Sequence, residues 1–126
     1  MPTNPAIRLT WYATLNWIIL ILLYGMTIAI AGEAAVTFVM SLAHLGVVPM
    51  LTHHFLRKYE GDRTRGSWTI GLAFGLIGLA LDAATFGWYL GRGQEYFFER
   101  MTYVYFAMRI GLAPITAKWI EPHMGP

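Results

Sequence analysis

The sequence predicts an all-α membrane protein: an up-and-down bundle of four transmembrane helices with both termini on the cytoplasmic side. Three observations point there. Of 126 residues, 56% are hydrophobic and 13% charged, against roughly 25% charged in an average soluble domain. The chain divides into four apolar runs, about 11–31, 34–55, 68–90 and 99–119, each long enough at about 1.5 Å per residue to cross a hydrocarbon layer of roughly 30 Å. The basic residues gather at the ends of those runs, and with a net charge of only +2 this placement speaks of membrane topology and against a nucleic-acid surface.

A length of 126 residues reads as one domain, with little left outside the bilayer. The absence of cysteine excludes disulfide scaffolds, thiolate metal sites and cysteine nucleophiles.

The first run is preceded by a short polar lead-in containing Arg8, and Trp11, Tyr12 and Trp17 read as anchors at the water–lipid boundary. Arg8 ahead of an apolar run that closes on Ala29-Ile30-Ala31 also has the shape of a signal peptide; the run is read here as a first span. Gly32 and Glu33 then bring a helix breaker and a charge, which predicts a tight helical hairpin. Without a turn, the run from Leu15 to Leu51 would be far longer than a bilayer is thick.

The second run contains Pro49, whose missing N–H frees the carbonyl of Leu45 and predicts a bend. The most polar loop follows, with Arg57, Lys58, Arg63 and Arg65 interleaved with Glu60, Gly61 and Asp62. Ser67 is the expected N-cap of the third run and Trp68 its interfacial anchor. Gly91, Arg92 and Gly93 end that run, and the fourth carries Pro114 before Glu121-Pro122-His123 returns the chain to water. Arg8, Arg57, Lys58, Arg63, Arg65 and Lys118 fall on one side and only Arg92 and Arg100 on the other. By the positive-inside rule this sets both termini in the cytoplasm of an inner-membrane protein.

The third run carries a distinctive seam. Gly71, Gly75, Gly78, Asp82 and Thr85 are spaced four, three, four and three apart, so they share one narrow helix face. That face is small and then acidic, and it sets a carboxylate inside the membrane. An intramembrane ionisable group is a functional-site hypothesis with a partner to be named; the expected partner is Arg109, in the fourth run. Arg109, His44 and Asp82 come out roughly 12–15 Å deep from the outer ends of their runs by helical rise, with Tyr24 slightly nearer the surface. Tyr105 shares the stripe of Arg109, with Thr102, Leu112 and Thr116. Thr37, Ser41 and Val48 flank His44 in the same way.

The expected polar centre is therefore Asp82, Arg109, His44, Tyr105 and Tyr24. A single charge at mid-bilayer costs at least about 2.5–3.5 kcal/mol, and pairing two of opposite sign removes most of that only if their other donors and acceptors are satisfied. This favours a structural clasp over a proton or ion relay. His44 is also the one intramembrane imidazole able to serve as a cofactor-binding axial ligand to a pigment or haem. A bis-histidine site would need a second, and His53, His54 and His123 lie elsewhere.

His53 and His54 do not form a metal pair, since adjacent helical residues do not face each other. Together with Arg57, Lys58, Arg63 and Arg65 they read as a cluster for anionic lipid headgroups, each basic residue contributing on the order of 1 kcal/mol. Gly71-x-x-x-Gly75, Gly87-x-x-x-Gly91 and Gly25-x-x-x-Ala29 permit close helix approach, within one chain or between subunits. Walker, zinc-helix, serine-elbow and Rossmann motifs are absent. The size and span plan are those of several small carriers, channels and membrane enzymes, but none of their motifs occurs here. The expectation is a non-enzymatic accessory subunit, without cofactor or metal, partnered by the bilayer and by other membrane subunits or copies of itself. A small proton- or ion-coupled transporter is the first alternative and a pigment-binding subunit the second.

Overall fold

In a computed structural model of the chain, residues 5–59, 61–85 and 100–120 are described. All regular structure among them is helical: α1 (Pro5–Ala31), a 3-10 turn (Glu33–Ala35), α2 (Val36–Arg57), α3 (Arg63–Asp82) and α4 (Arg100–Ile115), the last running into a π-helical turn (Thr116–Ile120). Three of these helical stretches, Ala6–Ala31, Glu33–Arg57 and Arg63–Thr85, are long and apolar enough to cross a membrane.

Several boundaries depart from the sequence expectation. The first helix begins at Pro5 rather than near Trp11, because proline's fixed φ suits a first helical turn and its missing N–H is no loss there. Tyr12 and Trp17 consequently lie inside the bundle instead of at a boundary. Tyr12 is buried edge-on against Phe55, ring centroids 5.8 Å apart. The hairpin turns at Gly32, where φ is +83°, a conformation only glycine adopts without strain. Its N–H closes the end of α1 on the carbonyls of Thr27 and Ile28. α2 continues through Pro49.

Ser67 is not the N-cap of the third helix. Asp62 is, its carboxylate accepting from the Thr64 N–H at 2.9 Å, and an aspartate is the stronger cap because it also meets the positive end of the helix dipole. Ser67 lies a turn further in, fully buried, and donates to the Thr64 carbonyl at 2.7 Å. The continuation of the third run to Leu90, with Gly87, Gly91 and Arg92, falls outside the described residues, as do Glu60, Glu121 and His123.

α3 and α4 form the most extensive helix pair, and the glycine seam explains it. A Cβ built on Gly71 would collide with the carbonyl oxygen of Ile110, and one on Gly75 would stand 2.5 Å from Ile110 Cγ1. The two backbones therefore approach as only hydrogen at those positions allows. The Ile110 carbonyl is available for that approach because Pro114, four residues on, has no N–H to offer it. Below the proline the helix loosens into the π turn. Tyr12, Ala13, Val48, Leu51, Phe55, Leu56, Ile70, Phe74 and Ala113 form the core, drawn from all four helices.

Many large apolar side chains face outward. Leu22, Met26, Ile30, Phe38, Leu42, Leu76 and Trp119 are exposed, whereas Asn16, His44, Thr52, Ser67, Asp82, Arg109 and Thr116 are buried. A water-soluble fold distributes these the other way. Polar groups turned inward and large aliphatics turned outward mark a membrane protein.

Candidate functional site

Asp82 ends α3 and Arg109 lies nine residues into α4. They meet in an ion pair, Nη1 to Oδ2 at 3.0 Å, with Arg109 4% and Asp82 7% exposed. Gly78, one turn before Asp82, makes room for the pair: a Cβ there would stand 2.8 Å from Arg109 Nη1. The Arg109 side chain thus passes close over Gly78 on its way to the carboxylate.

The other carboxylate oxygen is also occupied. Trp17 of α1 donates its indole N–H to Asp82 Oδ1 at 2.7 Å, a short charge-assisted bond. Sequence reasoning missed this residue, having read the tryptophan as an interfacial anchor. The usable signal is chemical: an indole N–H on a bundle-facing position requires an acceptor, and Asp82 is a carboxylate well inside an apolar run.

His44 of α2 completes the cluster. Arg109 Nε donates to His44 Nε2 at 3.3 Å, and His44 Nδ1 lies 2.7 Å from the Met40 carbonyl oxygen. Arginine has no acceptor, so Nε2 carries the lone pair and Nδ1 carries the hydrogen, which it donates to Met40. The imidazole is neutral in this arrangement, and the cluster holds one positive and one negative charge. Tyr105 of α4 stacks on the imidazole, centroids 4.5 Å apart and planes within 7°. Ser41 of α2 hydrogen-bonds the Tyr105 side chain, and Tyr24 of α1 is within electrostatic reach of it. Trp17, His44, Asp82 and Arg109 thus come one from each helix.

The loop-end residues form a second cluster of different character. His54, Arg57, Lys58, Arg63 and Arg65 are exposed and His53 half-buried. The His53 and His54 rings stand 6.0 Å apart at 58°. Arg63 donates to the Leu56 carbonyl at 3.0 Å. Arg8, expected as a surface charge, is instead buried. It reaches the Phe55 carbonyl at 3.0 Å and the Lys58 carbonyl at 3.4 Å, its guanidinium carbon 5.2 Å and 5.9 Å from the rings of Phe55 and Tyr12. The negative end of the α2 dipole makes that buried cation tolerable.

Chemically, the central cluster is a hydrogen-bonded network with balanced charge. Each Asp82 oxygen accepts from a donor, and a metal or axial ligand at His44 Nε2 would have to displace Arg109. Comparison of the chain with family models, with curated proteins and with solved structures finds no match.

Proposed function

We propose that this chain is a non-enzymatic accessory or scaffold subunit of a membrane complex, and that the Trp17–Asp82–Arg109–His44 cluster is the clasp that fixes its four helices. The observation that carries the reading is saturation: each Asp82 oxygen accepts a hydrogen bond and both His44 ring nitrogens are engaged. A relay must pass through states in which a group is free to take up a proton, and here protonating either Asp82 oxygen or His44 Nε2 breaks a contact between helices. A clasp needs only that the contacts persist.

In this reading the chain crosses an inner membrane four times, with both termini cytoplasmic. Residues 100–120, helix and π turn together, supply the fourth crossing at roughly 30 Å. The exposed loop-end arginines and Lys58 meet anionic headgroups on the cytoplasmic side. The faces carrying Leu22, Met26, Phe38 and Leu42 are left for lipid and partner helices, and a Cβ on Gly25 would meet nothing within 4 Å, so the Gly25–Ala29 face is open to close approach.

Mild-detergent purification of the full chain, with reconstitution into proteoliposomes, tests this. The expected result is a colourless complex with a membrane partner in fixed stoichiometry, lost in Gly25→Leu while the bundle melts unchanged. A homo-oligomer whose proton flux disappears in Asp82→Asn would replace the reading with a transporter. A visible absorbance band lost in His44→Ala would replace it with a pigment-binding subunit.

A further inference from the structure

Beneath the clasp lies a buried polar group that the network does not use. Asn16 of α1 is 1% exposed, and among the described residues neither its side-chain nitrogen nor its oxygen has a hydrogen-bond partner. Its place on the inner face follows from helical spacing, since Tyr12, Ala13 and Leu20 on the same stripe are all buried. Buried amides are satisfied in native proteins, by protein or by ordered water, because a dry, unpaired one costs several kilocalories.

The register of α1 against α2 points to a second polar residue near the same level. Tyr12 meets Phe55 edge to face and Arg8 meets the Phe55 carbonyl, which sets the antiparallel register of α1 and α2. Four residues on from Tyr12 is Asn16; four back from Phe55 is Leu51, next to Thr52. Thr52 is fully buried, and its hydroxyl donates to the Val48 carbonyl at 2.8 Å, which leaves the oxygen's lone pairs to accept. Ser67 of α3 and Thr116 after α4 are likewise fully buried, with hydroxyls donating to carbonyls of their own segments at 2.7 Å.

We propose that Asn16 and Thr52 form an internal water-binding site, the first member of a hydrated layer between the ion pair and the loop end of the bundle. A water there donates to Asn16 Oδ1 or Thr52 Oγ1 and accepts from Asn16 Nδ2, which meets the two to four polar partners that a buried water requires. The site is independent of the clasp's role, and it stands or falls by measurements at Asn16 alone.

The test uses the full chain in lipid nanodiscs. Nitrogen-edited spectra are expected to show cross-peaks between the Asn16 side-chain amide and a long-lived water; an amide with no water contact overturns the proposal. Melting of Asn16→Leu, Thr52→Val and the double variant gives a second reading. If one water joins the two side chains, each single variant melts lower and the double loses little beyond the larger single loss. An Asn16→Leu protein that melts higher than the parent, as relief of a dry orphan would produce, or a double variant losing the full sum, overturns it.

Discussion

Trp17 and Arg109 each take one oxygen of Asp82, the indole Nε1 at 2.7 Å from Oδ1 and the guanidinium Nη1 at 3.0 Å from Oδ2. The carboxylate at the end of α3 is thereby the point at which α1, α3 and α4 are joined, and His44 ties α2 to the same guanidinium. Asp82→Asn and Arg109→Gln should each cost about 3–5 kcal/mol, because each strands a buried charge. The double variant strands neither and should recover much of the loss. Denaturant unfolding in a defined detergent measures all three; single variants as stable as the parent would mean that water, not the partner, neutralises each charge.

Trp17→Phe keeps the ring and removes the donor, so it isolates one hydrogen bond to a charged acceptor, on the order of 1.5–3 kcal/mol. Trp11, half-exposed on the same helix, is the control: Trp11→Phe should stay within about 0.5 kcal/mol. Equal effects from the two substitutions would leave the indole N–H without a role in holding α1.

How much of this was legible beforehand differs residue by residue. The Gly71–Gly75–Gly78–Asp82 seam was, because a period of four and three is a property of one helix alone. The pairing of Asp82 with Arg109 followed from the cost of leaving either unpaired. Trp17, Arg8 and Asn16 were not legible, since each depends on the register and crossing of two helices that a single segment does not encode. A tryptophan or arginine near a helix start reads as interfacial until a specific acceptor is seen opposite it. The Asp62 cap was missed for a simpler reason: the polar turn Arg63–Gly66 is helical, and a hydropathy boundary at Trp68 hides it.

Glycine substitutions separate contact from flexibility. Gly71→Ala drives a methyl against the Ile110 carbonyl and Gly78→Ala drives one against the Arg109 guanidinium. Each is expected to destabilise by about 1–3 kcal/mol through overpacking. At Gly46, in mid-helix, an added Cβ meets nothing within 4 Å, so Gly46→Ala should stabilise by roughly 0.5–1 kcal/mol through helix propensity. Melting temperatures in one detergent rank the three, and a Gly71→Ala protein as stable as Gly46→Ala would show that α3 and α4 separate freely.

Arg8 provides the last prediction. The last carbonyls at the end of α2 lack the N–H groups of a continuing helix, and two arginines from outside the helix reach them: Arg8 those of Phe55 and the cap residue Lys58, and Arg63 that of Leu56, which also accepts from the Tyr59 N–H. Arg8 also lies beside the rings of Tyr12 and Phe55, which meet each other edge to face, so α1 and α2 are stapled where the hairpin's two ends meet. Lysine keeps the charge but lacks the fork that spans two carbonyls and the flat face that stacks on rings. Arg8→Lys should therefore fall between the parent and Arg8→Met, which loses charge-assisted bonds worth on the order of 1.5–3 kcal/mol. Hydrogen exchange should quicken first at amides 55–59 and leave those around His44 protected. If Arg8→Lys matches the parent at both places, the guanidinium's two carbonyl contacts and its stacking are incidental, and charge at the α2 terminus is sufficient by itself.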